Sequence, residues 1–179
     1  ITSHAATVTF SIVGGPGGGE FVLPTSAVTD ASGKVTATIN SGTKAGVVQL
    51  IAKVSGTTIT STPVTVTITG GLPDQNHITL WTDKLNYPSL KAQGGALGKV
   101  MVQVGDVFGN PVQPSAMYFS TSGGGISPAS ITTDATGSGQ VNILGGNPLP
   151  IGGLDTITVS TNGVSGSIVS AKTVAVISG

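Results

Sequence analysis

Charged side chains are scarce in this 179-residue chain. They make up 8% of it, against about 25% in a typical soluble domain. Arginine is absent, and seven lysines balance six aspartates and one glutamate. Nucleic-acid binding needs a basic face, usually with arginine, so we expect no nucleic-acid partner. A polybasic attachment to anionic membranes is disfavoured for the same reason.

Cysteine and long apolar runs are also missing. Without cysteine, stability must come from packing and hydrogen bonding rather than from disulfides. The mean hydropathy is +0.35, yet no apolar run approaches the roughly 20 residues of a membrane helix, so we expect no membrane insertion in this segment. The chain begins without Met and shows no basic-then-apolar leader, which favours an excised or processed piece of a longer protein.

Threonine, valine and glycine are abundant where other proteins have charged residues. Threonine and valine are β-branched and suit a pleated sheet, while 28 glycines and 10 prolines indicate many tight turns. Residues 64–69 alternate strictly between an apolar residue and Thr, the period of a half-buried strand. No stretch of 10–12 residues has a helical period. The pattern predicts an all-β protein.

One motif occurs twice. Residues 28–33, Val-Thr-Asp-Ala-Ser-Gly, recur as Thr-Thr-Asp-Ala-Thr-Gly at 132–137, so that Asp134 repeats Asp30 at an offset of 104 residues (134 − 30). A strand with a Phe precedes each copy. A period this long is that of a domain, not of a solenoid repeat. We therefore predict two tandem immunoglobulin-like antiparallel β-sandwiches.

The predicted boundaries follow from the glycine- and proline-rich stretch near the middle. We expect an immunoglobulin-like domain at 1–71 that lacks its first strands, a linker at 72–76, and a complete immunoglobulin-like domain at 77–179. The second domain also contains a long mixed segment at 83–98. The period-two runs predict six core residues: Phe10, Ile39, Val66, Phe119, Val141 and Val159.

These residues are enough to suggest a family. The run 102–112, with Asp-Val-Phe-Gly-Asn-Pro-Val at its end, is followed by Met-Tyr-Phe-Ser at 117–120 and by Thr-Asp-Ala-Thr-Gly at 133–137. This order resembles the bacterial immunoglobulin-like domain of the invasin and intimin type over nearly all of 77–179, and the first unit matches from about Ala6 onward. The resemblance implies tandem copies, the first incomplete, in a rod-like surface adhesin or secreted protein. Such domains mostly act as spacers.

Catalytic chemistry has little support. The only histidines, His4 and His77, stand beside no nucleophile motif, and the seven acids lie mostly in turns. We predict no enzyme activity, no catalytic residue and no cofactor. The glycine runs at 14–19 and 123–125 lack the Lys and the helix of a phosphate loop, so they are predicted loop tips.

Aspartates could bind calcium and aromatic residues could bind a sugar, but both residue types also have simpler structural roles. Asp30 and Asp134 each stand alone, so we predict turn hydrogen bonds rather than calcium, and Asp74 and Asp83 are the weaker calcium candidates. No metal site is predicted. Three aromatic residues could build a sugar-stacking platform, although a lone Trp in a sandwich is usually core or interface. They are Trp81, Tyr87 and Tyr118.

The sequence thus predicts a structural spacer module of a bacterial cell-surface or secreted protein, either an adhesin stalk or a filament subunit. An adhesive or carbohydrate-binding accessory module is the alternative, which an exposed aromatic group on one sheet would favour. Expected partners are neighbouring repeats or subunits, with a host-surface or glycan ligand under the alternative. The expected location is extracellular or the cell surface. Truncation, or a strand donated by a neighbouring subunit, would explain the missing first strands.

Overall fold

The computed structural model describes residues 5–88, 95–146 and 150–178. The chain divides into two compact units, Ile1–Thr69 and Gly70–Gly179. Each unit consists of β-strands and turns, and the only helical elements among the described residues are three short 3-10 turns. The predicted all-β class is confirmed. None of the described helices is long and apolar enough to cross a membrane.

The second unit is a two-sheet sandwich. Its strands are β7 (Ile78–Thr82), β8 (Asn86–Pro88), β9 (Ala96–Val104), β10 (Ala116–Thr121), β11 (Gly125–Ser127), β12 (Ser130–Thr132), β13 (Ser138–Leu144), β14 (Leu154–Asn162) and β15 (Ile168–Ser178). One sheet has the order β12-β10-β14-β15-β8 and the other the order β11-β13-β9-β7. All pairs are antiparallel except β8 with β15.

The core of this unit lies between the two sheets. Alternate residues of β9, namely Val100, Val102 and Val104, are almost fully buried, as the strand period requires. They pack in one cluster with inward residues of the opposite sheet. The predicted core residues Phe119, Val141 and Val159 belong to this cluster, so the prediction is confirmed for this unit.

The first unit contains fewer strands. They are β1 (Thr7–Gly14), β2 (Phe21–Leu23), β3 (Ser26–Val28), β4 (Thr38–Asn40), β5 (Gly46–Val54) and β6 (Val64–Ile68). Their order is β3-β1-β5-β6 in one sheet and β2-β4 in the other. The four-stranded sheet repeats the order β12-β10-β14-β15 of the second unit. The two-stranded sheet repeats only β11-β13.

The difference between the units is concentrated at one strand edge. In the second unit β13 is seven residues long and pairs along its whole length with β9. In the first unit the repeated segment 34–40 is a strand only at 38–40, where β2 pairs with it. Residues 35–37 pair with no strand in the part of the chain that the structure describes. This edge therefore leaves backbone donors and acceptors without strand partners.

The open edge also leaves part of the sheet interior uncovered. Predicted core residues Phe10, Ile39 and Val66 are only half-buried, so the core prediction is wrong for this unit. The physical reason is that no described strand occupies the place that β9 and β7 hold in the second unit. Two open grooves, of about 370 and 530 Å³, lie over these inward faces.

The segment predicted as a linker is hydrogen-bonded to the second unit. The Asp74 amide donates to the Gly105 carbonyl at 3.0 Å, and a 3-10 turn follows at Gln75–His77. The Gln75 side chain accepts from the Ser170 amide and donates to the Ser170 carbonyl, at 2.9 and 2.8 Å. Residues 72–76 thus pack on the unit that begins at Gly70.

The long mixed segment at 83–98 contains a strand that the sequence pattern did not reveal. Short strand β8 pairs in parallel with the end of β15, and Tyr87 of β8 is buried in the core. Residues 89–94 of this segment lie outside the described residues. The following strand, β9, begins at Ala96, inside this segment.

Candidate functional site

The two repeated aspartates build the same turn. Oδ1 of Asp30 accepts from the Ser32 amide at 2.8 Å, the Ser32 hydroxyl at 2.7 Å and the Lys34 amide at 2.9 Å. Oδ1 of Asp134 accepts from the equivalent groups of Thr136 and Ser138. These bonds, led by the Ser and Thr hydroxyls, lower the pKa of both carboxyls. The predicted turn hydrogen bonds are confirmed.

Asp106 anchors a third turn and is itself buried. Its Oδ1 accepts from the Phe108 and Asn110 amides, and its Oδ2 accepts from the Gly71 amide, all at 2.9 Å. Burial raises the pKa of this carboxyl, but hydrogen bonds from Gly71 and then Asn110 outweigh burial, and the pKa lies below its usual value. Asp106 thus closes the Asp-Val-Phe-Gly-Asn turn with Oδ1 and ties it to the Gly71 backbone with Oδ2.

His77 makes a local contact with Asp74. His4 lies outside the described residues. His77 Nδ1 lies 2.9 Å from Asp74 Oδ1, which also caps the following 3-10 turn by accepting from the Asn76 amide. That hydrogen bond to His77 lowers the pKa of Asp74. Across the described residues, no three His, Cys, Asp or Glu side chains lie close enough together to hold a metal ion.

The glycine run at 14–19 binds a carboxylate of its own chain. The Gly17 and Gly18 amides donate to Glu20 at 3.0 and 2.8 Å. The hydrogen bond from the Glu20 amide itself, followed by the one from Gly17, lowers the pKa of this carboxyl. Two amides of the run are thus bound to a side chain of the same loop, which agrees with the predicted loop tip. In the run at 123–125, the Gly123 amide donates to Asp155.

Asp155 is a buried carboxylate that sequence reasoning missed. It is fully buried in β14. Oδ1 accepts from the Ser122 and Gly123 amides at 3.1 and 3.0 Å, and also from the hydroxyls of Thr121 and Ser122. Oδ2 is buried without a hydrogen-bond partner. The strand period could have found this residue, because it places Asp155 on the inward face with Ile157 and Val159.

Asp83 makes a second unpredicted contact, with Tyr87. The Tyr87 hydroxyl donates to Asp83 Oδ1 at 2.6 Å, and the Lys99 amide donates to the same oxygen at 2.8 Å. Burial, followed by the bond to Asp83, raises the pKa of Tyr87 to about 12. The phenol therefore stays protonated at ordinary pH and fixes the turn between β7 and β8. Asp83 is a structural acceptor here.

The three candidate aromatics do not form one platform. Tyr87 is buried, whereas Tyr118 is exposed on the outer face of the β10 sheet. Trp81 is 40% exposed on the outer face of the other sheet, next to Met101 of β9. A shallow depression of about 270 Å³ adjoins the Trp81 ring. Trp81 is therefore both exposed and next to a depression.

Solved structures that resemble this chain are domains of bacterial adhesins. FdeC, an Escherichia coli adhesin, is 20% identical with a TM-score of 0.57; the match covers 97% of this chain and 54% of FdeC. The D0-D1 domain of intimin is 23% identical with a TM-score of 0.40, covering 97% and 83%. The Yersinia pseudotuberculosis adhesin InvE is 22% identical with a TM-score of 0.39, covering 95% and 49%. The likeness to FdeC confirms the predicted immunoglobulin-like fold.

No family model and no curated protein matches the chain. The chain spans about half the length of the FdeC and InvE structures it resembles.

Proposed function

We propose that this chain is a structural spacer from a bacterial surface or secreted protein, an adhesin stalk or a filament subunit. The observation that carries the proposal is the tandem of immunoglobulin-like units whose turn carboxylates are hydrogen-bonded to backbone amides. Asp30, Asp106 and Asp134 all bind backbone amides of their own turns. A spacer needs stiff, repeated units and no reaction chemistry. Its partners are the neighbouring repeats or subunits, and it is not an enzyme.

The similarity of the fold to that of the FdeC adhesin supports a location outside the cell or on its surface. Low charge and the absence of cysteine are compatible with that location.

The experiment is a replacement in the whole protein that carries this chain. The second unit is exchanged for an unrelated immunoglobulin-like sandwich of the same length, or deleted. A spacer predicts that the exchange preserves the assembly and the reach of the protein, whereas deletion shortens the reach, as measured by electron microscopy. Loss of assembly or of reach on exchange, with the display level unchanged, would contradict the proposal. Staining of intact cells with an antibody to the chain tests the location separately.

A further inference from the structure

The outer face of the β7-β9-β13 sheet carries an ordered row of side chains. Trp81 pairs with Met101 across β7 and β9, and Met101 pairs with Gln140 across β9 and β13. Directly opposed residues on one face have Cβ atoms about 5 Å apart, so the three side chains form one continuous strip. Two further amides flank this strip on the same face: Gln103 of β9 and Asn142 of β13.

The amide side chains of this face are unengaged. Gln103, Gln140 and Asn142 are exposed, and within the described ranges none of their side chains has a hydrogen-bond partner. By contrast, Gln75 in the same unit uses both ends of its amide on Ser170. An amide offers two donors and an acceptor, so an unengaged one can bind a group that is itself donor and acceptor.

We propose that this face of the second unit binds a neutral saccharide. The Trp81 ring supplies an apolar plane for the C–H face of a sugar ring, and the amides of Gln103 and Gln140 bind its hydroxyls. Trp is suited to this because one large ring brings apolar area at little entropic cost. The depression of about 270 Å³ that adjoins the ring is near the lower limit of small-molecule sites, as expected for a single sugar ring.

The composition of the face favours a saccharide over a protein partner. Its apolar part consists of Trp81 and the half-buried Met101. A stable protein interface buries about 1,200–2,000 Å² around a water-excluded apolar centre, which two side chains do not supply. Charges of both signs border the face: Lys99 on the face itself, Asp134 at the depression, and Asp83 and Lys84 directly after β7. No excess of one sign therefore selects an ionic ligand.

The test uses Trp81 as its own reporter, because it is the only tryptophan of the chain. The whole chain is titrated with cellotetraose, xylotetraose, maltotetraose and chitotetraose while its fluorescence is recorded, and calorimetry measures affinity. We expect a saturable fluorescence change with at least one of the four. Trp81→Ala should weaken calorimetric binding by about tenfold or more, equivalent to about 1.4 kcal/mol. Gln140→Ala should weaken it severalfold.

Two controls separate the site from general effects. Tyr118→Ala removes an exposed aromatic from the opposite sheet and should leave the affinity unchanged. Trp81→Tyr keeps a ring and should retain part of the affinity even if Trp81→Ala folds poorly. Absence of binding by all four saccharides, or full affinity in folded Trp81→Ala, would overturn the proposal. Binding of this face to target cells that survives enzymatic removal of their glycans would also overturn it, in favour of a protein partner.

Discussion

At the scale of single residues, the polar chemistry of this protein is local. Each turn aspartate binds amides two and four residues along the chain, so sequence spacing is sufficient to find it. Asp155 differs, because its donors lie more than 30 residues away in the 121–123 turn. Its hydrogen bonds join β14 to the turn that follows β10. The register of the repeat places Val48 at the equivalent position in the first unit, where no buried polar partner is needed.

Substitution of Asp155 should separate hydrogen bonding from charge. Asp155→Ala leaves the Ser122 and Gly123 amides buried without an acceptor and should destabilise the second unit by about 3 kcal/mol. Asp155→Asn keeps one carbonyl oxygen for these donors and removes the negative charge beside the unpaired Oδ2, so it should change stability by about 1 kcal/mol or less. Urea unfolding measures both. Equal losses in the two variants would show that the charge itself is required.

Gly98 supplies a second test at this scale. A Cβ on Gly98 would overlap the buried Tyr87 ring and lie 2.6 Å from Asp83 Oδ1. Gly98→Ala should therefore displace Tyr87 and cost about 2 kcal/mol, the usual scale of overpacking. Gly95→Ala is the matched control, because a Cβ there meets no atom of the described residues within 4 Å. Thermal unfolding of the two variants provides the comparison, and an unchanged melting temperature in Gly98→Ala would contradict the argument.

At the scale of secondary-structure elements, the two units show that the length of a strand depends on the strand beside it. Segments 34–40 and 138–144 have similar alternating sequences, yet β13 extends over seven residues and β4 over three. Only β13 has β9 beside it. Local alternation thus predicts where a strand can form, but the hydrogen-bond partner decides how far it extends.

Hydrogen exchange should record this difference directly. The amides of 35–37 should exchange rapidly, while those of 139–143 should be strongly protected by the β9 and β11 ladders. The measurement is mass spectrometry of exchanged peptides, with light scattering on the same sample. Protection of 35–37 in a species heavier than the monomer would mean that another copy donates a strand to this edge. Protection in a monomer would contradict the open edge.

The features that the sequence did not predict also depend on which strands become neighbours in the fold. The repeat at Asp30 and Asp134 and the period-two runs predicted the two-unit β fold. The strand β8 was missed, because three residues carry no period and its pairing with β15 is remote in sequence. The burial of Phe10 and Ile39 was overpredicted, because an alternating pattern does not say whether a covering strand exists. The sequence singled out Trp81 as a possible sugar-stacking residue. Its exposure could not be predicted, because that depends on which face of β7 packs against the core.

At the scale of the whole molecule, the two units differ in how much core they bury. The buried core cluster consists of residues of the second unit alone, whereas the first unit has, among its described residues, three buried apolar residues, Val8, Val22 and Val48, of which only Val48 is fully buried. Burial of apolar area is the main stabilising term of folding. Calorimetry of the chain should therefore show two transitions, the first unit melting at the lower temperature. Assignment follows from the Tyr87→Ala variant, which should lower only the upper transition.

Acid should lower the melting temperature of the upper transition. Hydrogen bonds lower the pKa of Asp74, Asp83, Asp106 and Asp134 in the second unit. A carboxyl whose pKa is lowered by folding stabilises the native state above its unfolded pKa, about 3.9 for Asp, and loses that contribution as pH falls through the folded value. The upper melting temperature should thus be nearly constant from about pH 7 to 5 and fall steeply below about pH 4. Asp106→Asn should lower it at pH 7 but flatten its acid dependence, since one of the titrating groups is gone. A melting temperature that rises or stays level down to about pH 2.5 would show that these carboxylates do not stabilise the fold.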